Sequence, residues 1–234
     1  GYKGASAHVP ELTQALVAQG AQVSIVAARV APDSAVGAEI PIIDVGADRL
    51  ARRMRRALLE SAKNAHEKTA AAEMYSILLH QSLTTHLERL HRRTPIDAIY
   101  ERYALWSFAA AYFARARGIP YVLEVNAPLR IEQQRYRALE STAMAANVES
   151  YLFRTADHII IPSRELEPYV CKQGATRMQV QVIPNAANPN RYRVRRRVRR
   201  QQEQAPTEFV VGFLGTLKPW HGLETLVRVF RRLY

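Results

Sequence analysis

Short apolar runs and helix-patterned segments take turns along most of the chain, and that alternation constrains the fold more than any other property. Val9, Leu12, Leu16 and Val17 recur at helical spacing, with Pro10 expected in a first turn and Gly20 at the C-cap, before an apolar run over 23–27. Residues 49–92 read as helical and arginine-rich, with Leu50, Met54, Leu58, Tyr75, Leu78 and Leu79 facing inward. Then follow a strand over 96–101, a helix over 105–117 closed by Gly118, a strand over 121–125 and a long helix over 129–153. A strand over 157–161, a helix capped by Ser163 and ended by Gly174, and a strand over 178–183 complete the series. Strands separated by helices can pair in parallel, so the expected fold is an α/β, Rossmann-like, doubly wound parallel sheet.

The most specific local segment is FVVGFLGTLKPWHGLETL, residues 209–226. Phe209, Val210, Val211, Phe213 and Leu214 form a nearly continuous apolar run, which predicts a strand buried on both faces. Gly215 then permits a sharp turn, Thr216, Lys218, Trp220 and His221 fill it, and Leu223, Leu226, Val227 and Phe230 resume helical spacing. A turn at the carboxyl end of a strand and the amino end of a helix favours an anion. Such a turn, without a full dinucleotide fingerprint, also reads as an ordinary strand-to-helix loop.

In a doubly wound sheet, ligands gather at the carboxyl ends of the strands. The residues expected there are Glu101, Glu124 with Asn126, Ser163, Asn185 and the 216–221 turn. Glu101 and Glu124 stand out, because a carboxylate that ends a buried strand is costly unless it is paired or faces a cleft. Asn185 can equally shape a linker turn, and Ser163 a helix start. His8, beside Gly4 and Ser6, is better placed than the other histidines to meet a substrate. No HExxH, DxD or clustered-cysteine pattern marks a metal site.

Three motifs in order carry a family resemblance. KGASAHVPELTQAL from Lys3, VIPNAANPNRY from Val182 and GTLKPWHG from Gly215 resemble the glycine loop, the interdomain segment and the opening turn of the second domain in GT-B glycosyltransferases of family 4. YVLEVNAPL from Tyr121 is similar to a strand and loop found in a subset of them. The resemblance implies a sugar transferred, with retention, from a nucleotide-diphosphate donor to a saccharide or lipid-linked acceptor, without a metal or other cofactor. Glu101, Glu124 and Asn126 are then the expected catalytic group, and Gly4, Ser6, His8, Asn185, Gly215, Thr216, Lys218 and His221 the expected substrate-binding group. In this family an Arg and a Lys in the opening turn usually bind the phosphates; Thr216 and His221 stand at those positions, leaving Lys218 as the strong cation. Asn126 stands where a first-domain histidine is common.

The resemblance also divides the chain into an acceptor-side domain over 1–184, a basic linker over 185–207 and the start of a donor-binding domain over 208–234. The hydrophobic first strand and most of the second domain, with its Glu-x7-Glu motif, are expected outside this sequence. A piece of that kind is expected to be inactive alone.

Charge raises a separate question. The 234 residues carry a net charge of +12, with arginines concentrated at 49–56 and in RYRVRRRVRR from Arg191. An anionic membrane surface, nucleic acid and a merely solvated basic face all fit such clusters. No recognition motif or stacking aromatics accompany the arginines, so no specific nucleic-acid partner is expected. One cysteine, Cys171, excludes an internal disulfide framework, and no apolar run of about 20 residues exists to span a membrane. These features fit a cytoplasmic enzyme, and docking at the inner face of a membrane stays open beside a merely solvated basic face. The competing readings are a basic nucleic-acid-binding or scaffold protein on a Rossmann-like core, and a GT-B nucleotide-sugar epimerase.

Overall fold

A computed structural model describes residues 4–28, 30, 40–47, 49–186, 210–215, 217–218 and 221–233. The chain divides into two compact units, Gly1–Ala187 and Asn188–Tyr234.

In the first unit, β1 (Ile25–Ala27) and β2 (Ile42–Asp44) form a parallel pair, with Ile25 opposite Ile42. A second, four-stranded parallel sheet holds β3 (Ile99–Arg102), β4 (Tyr121–Glu124), β5 (His158–Ile161) and β6 (Val180–Val182), in that order. The helices are α1 (Gly4–Ala18), α2 (Arg49–Ser61), α3 (Ala65–Arg93), α4 (Ala109–Arg117), α5 (Leu129–Tyr136), α6 (Thr142–Thr155) and α7 (Glu167–Lys172). The α/β parallel architecture is the expected Rossmann-like one. Strand β2 was not anticipated.

The core forms where sheet and helices meet. Tyr121 and Leu123 of β4, Ile159 and Ile161 of β5, Phe113 of α4 and Leu152 and Phe153 of α6 are almost entirely removed from water. Helix α4 can lie close to the sheet because Ala109, Ala110, Ala111 and Ala114 make its buried face thin. It ends, as expected, at Gly118, whose φ of 65° is a left-handed conformation that a side chain would strain. Cys171 packs half-buried against this core.

Several expected helices are interrupted, each for a visible reason. The 49–92 stretch breaks before Asn64, whose side chain accepts the Glu67 N–H at 2.9 Å while the Glu67 carboxylate accepts the Lys63 N–H. This reciprocal cap starts α3 afresh. The 129–153 stretch breaks at 137–141, where the buried Glu73 of α3 accepts the backbone N–H groups of Glu140 and Ser141, each at 3.0 Å. Those amides precede α6 and lie where its positive dipole end favours a carboxylate. Residues 105–108 do not join α4, because the ring of His80 accepts the Ala109 N–H at 2.9 Å and donates to the Trp106 carbonyl. Helix α1 begins at Gly4, so Pro10 sits inside it rather than in its first turn. The Thr13 hydroxyl bonds the Val9 and Pro10 carbonyls there.

In the second unit the strand expected over 209–214 is absent among the described residues: 210–214 form no ladder, and Val210 and Leu214 are exposed. A parallel strand needs a neighbour to receive its hydrogen bonds, and the unit's described residues supply none. The helix expected after the turn is present as α8 (Leu223–Leu233), entered through Gly222 at φ 65°.

Glu73 gives a direct stability test. Glu73→Ala removes the acceptor for two amides and should cost about 1–3 kcal/mol, read by urea denaturation. Loss below about 0.5 kcal/mol would mean that water replaces the carboxylate without penalty.

Candidate functional site

Alternation along β3 and β4 decides which expected residues can act together. Tyr100 and Arg102 lie on one face of the sheet and Ile99 and Glu101 on the other. Arg102 is paired in register with Glu124, so those two share a face. Glu101, in register with Leu123, therefore points away from Glu124.

On the Glu124 face, the last residue of β4 becomes the centre of a polar cluster. Its side chain is 4% exposed. His8 Nε2 approaches Oε2 at 2.8 Å, and the Tyr100 hydroxyl donates to the same oxygen at 2.7 Å. Arg102 Nη1 donates to Oε1 at 2.9 Å, and Asn126 Nδ2 donates to that oxygen too. Burial pushes the Glu124 pKa up, but hydrogen bonds from Tyr100, Asn126 and His8 outweigh it and hold the carboxyl below its usual range. Burial, aided by the hydrogen bond to Glu124, raises the Tyr100 hydroxyl well above its ordinary value. Glu124 is thus an anion and Tyr100 a neutral phenol at neutral pH.

The opposite face has a different character. Glu101 accepts bonds from the Ser107 hydroxyl and from the buried Tyr121 hydroxyl. Burial raises its pKa to about 7, against the lowering effect of those two bonds. Its partners belong to the core and to the turn before α4, so its surroundings are those of a packing group.

The other expected residues are more scattered. Gly4 and Ser6 lie in the first turn of α1, the helix that delivers His8. Asn185 is exposed beyond β6. In the second unit, a Cβ on Gly215 would stand 3.1 Å from the Phe213 ring, and the Phe213 and His221 ring centroids are 5.9 Å apart. The His221 N–H bonds the Lys218 carbonyl at 3.0 Å, tightening the turn ahead of α8. Thr216 lies outside the described residues.

Two functional-looking groups escaped the sequence reading. Arg102, adjacent to Glu101, was a charged strand residue with no motif around it. Glu149 of α6 is fully buried and gathers the Tyr103 hydroxyl at 2.7 Å, Arg130 Nε at 2.9 Å and the Tyr169 hydroxyl. The available signal was a glutamate at the helical spacing of Ala145, Leu152 and Phe153.

Residues 3–186 match the family described as a glycosyl transferase 4-like domain. The chain belongs to that family. No curated protein matches it. Membership of a glycosyl transferase family agrees with the parallel α/β sheet and with a polar cluster at the carboxyl end of its strands. Among the described residues, no group of three or more histidine, cysteine or acidic side chains could hold a metal ion, and no helix is long and apolar enough to cross a membrane.

The Glu101 environment yields a pH test. With a folded pKa near 7 and an ordinary value of 4.5, the unfolded chain loses its proton first as pH rises. Stability should therefore fall between about pH 4.5 and 7, by up to about 3 kcal/mol from this group. Glu101→Gln, which cannot ionise, should flatten that part of the pH–stability curve and be the more stable protein at pH 8. Parallel curves for the two proteins would show that Glu101 ionises normally in the fold.

Proposed function

We propose that the chain supplies the acceptor side of a glycosyltransferase that moves a sugar from a nucleotide-diphosphate donor to a saccharide or lipid-linked acceptor, with retention. Glycosyl transfer in general follows from the family. The observation that supports the finer reading is the meeting of His8, Glu124 and Asn126, from α1 and from the end of β4, in one partly exposed cluster. Sequence separation of 116 residues between His8 and Glu124 makes that meeting a property of the fold rather than of a local turn.

In this reading residues 1–184 form the acceptor domain, 185–207 the linker and 208–234 the start of the donor domain. Intact protein supplied with UDP-, GDP- and ADP-sugars and lipid extracts should bind or hydrolyse at least one donor. Complete indifference to all of them would sink the reading and favour the basic scaffold alternative.

The donor diphosphate is assigned to the Gly215–His221 turn, with Lys218 as the cationic contact. Cations and a helix dipole stabilise a leaving diphosphate without metal. Lys218→Ala in the full-length enzyme should lower kcat/KM by the equivalent of about 2–4 kcal/mol, with the melting temperature nearly unchanged. If His221 makes the contact instead, His221→Ala carries that loss and Lys218→Ala almost none. Normal donor use by both folded variants would remove the turn from the site.

An anionic membrane surface is the proposed partner of α2, whose Arg49, Arg52, Arg53, Arg55 and Arg56 are all exposed. Leu50, 66% exposed on the same helix, adds an apolar contact suited to the headgroup boundary. The second arginine cluster, from Arg191, lies outside the described residues. At about 1 kcal/mol per basic residue near such a surface, replacing Arg52, Arg53, Arg55 and Arg56 by Glu should abolish sedimentation with phosphatidylglycerol vesicles. Equal sedimentation of variant and parent at low salt would exclude α2 as the docking face.

A further inference from the structure

Arg102 brings a charge to the Glu124 cluster and spends only part of it there. Parallel register sets Arg102, the last residue of β3, opposite Glu124, the last residue of β4. The guanidinium therefore stands at the carboxyl edge of the sheet, where a doubly wound fold gathers its ligands. Its Nη1 donates to Glu124 Oε1 at 2.9 Å, its one hydrogen bond among the described residues. Nε and Nη2 have no partner there. Thr155 Oγ1 is the sole buried side-chain nitrogen or oxygen left without a bond among the described residues. Nε and Nη2, unbonded and absent from that class, are therefore open to water, in keeping with a side chain 32% exposed.

These two nitrogens share one edge of the guanidinium. Their N–H groups run parallel, and that fork matches two oxygens carried on one carbon or phosphorus. The bond through Nη1 holds the other side of the group, so the fork is directed before a ligand arrives and less rotamer freedom is lost on binding. Glu124 does not draw the fork back. An ionised carboxylate accepts at about four lone-pair sites, and His8, Tyr100, Arg102 Nη1 and Asn126 already supply four donors. Glu124, expected from the sequence to act on substrate, is thus an anchor for its neighbours, and the outward chemistry of Arg102 is that of a donor alone.

We infer that Arg102 is a specificity-determining residue of the acceptor site, binding through Nε and Nη2 a phosphate or carboxylate group carried by the acceptor. The inference rests on the proposed acceptor role of residues 1–184 and names the class of molecule that role takes, an anionic one. A neutral hydroxyl offers the fork one oxygen. An oxyanion offers two and adds charge assistance, which roughly doubles the strength of each bond. The net charge of +12 on the chain draws such a molecule in from a distance. Phosphorylated and carboxylated saccharides share the two-oxygen chemistry, and the experiment separates them.

Glucose 6-phosphate, glucuronate and glucose serve as probes at neutral pH and one fixed ionic strength. The readout is the Nε–H resonance of Arg102 in this chain, assigned by its loss in Arg102→Gln. At least one of the two anions should move that resonance saturably while glucose leaves it in place. Tighter binding of glucose 6-phosphate identifies a phosphorylated acceptor, and tighter binding of glucuronate a carboxylated one. A resonance that answers neither anion, or answers glucose equally, would overturn the inference without recourse to any variant. Arg102→Lys keeps a charge and a donor for Glu124 but has no fork, so calorimetry should show the bound anion held about 10–100-fold more weakly. Undiminished binding by the folded Arg102→Lys protein would overturn the inference as well. In the full-length protein supplied with lipid extract, Arg102→Gln should raise the extract concentration needed for half-maximal transfer by about the same factor and leave the donor KM near its parental value. An effect on donor KM alone would move Arg102 out of the acceptor site. A full-length parent that transfers no sugar sinks the proposed function, whereas the Arg102 resonance decides the anion site independently of it.

Discussion

The Glu124 carboxylate joins α1 to β3, to the end of β4 and to the loop that follows it. It ends β4, receives two side chains from the adjacent β3 and one from the loop after its own strand, and takes the fourth from α1 near the start of the chain. A buried carboxylate without partners would cost several kcal/mol and take up a proton instead. Its ionised state is held by hydrogen bonds from Tyr100, Asn126 and His8. The dependence runs both ways: Tyr100, Arg102, Asn126 and His8 acquire fixed directions because one anion is there to receive them.

The same logic recurs where the helices end. Glu73 receives two amides ahead of α6, Asn64 and Glu67 cap α3 reciprocally, and the His80 ring bridges Trp106 and Ala109 ahead of α4. Burial lowers the His80 pKa, more than its backbone bond raises it, so the neutral ring is the one that fits. It also stacks on Phe108 with centroids 3.8 Å apart. In each case a polar side chain, distant in sequence for Glu73 and His80 and at the helix start itself for Asn64 and Glu67, satisfies backbone groups that a helix terminus leaves open. Helix length here is set by where those side chains reach, more than by intrinsic propensity.

That explains which features could be read from the sequence. Apolar runs such as 158–161 and alanine-rich α4 have a period that survives without tertiary information, so the parallel α/β architecture and the Gly118 stop were legible. The breaks near 137–141 and 105–108 were not, because Glu73 and His80 lie 67 and 29 residues from amides they bond. The break at 62–64 is local, and the Asn-x-x-Glu pattern at 64–67 was there to be read. Glu101 and Glu124 were found together by one rule, that a carboxylate ending a buried strand needs a reason. Pleating then separates them: the register that places Glu124 opposite Arg102 sends Glu101 to the Tyr121 face. Register is not visible until the strands are paired.

Buried carboxylates alone do not mark a site in this fold. Glu149 is as fully enclosed as Glu124 and also collects tyrosine hydroxyls and an arginine. The difference lies in where the donors lead. Tyr103 is 5% exposed and the Arg130 side chain 16%, so the bonds around Glu149 close on the interior and join the residue after β3 to α5, α6 and α7. Around Glu124 the donors continue outward: His8 is 26% exposed, Arg102 32% and Tyr100 37%. One buried anion therefore locks a core, whereas the other gathers side chains that stay partly exposed. Preorganised groups of the second kind can meet a ligand without first giving up an internal partner.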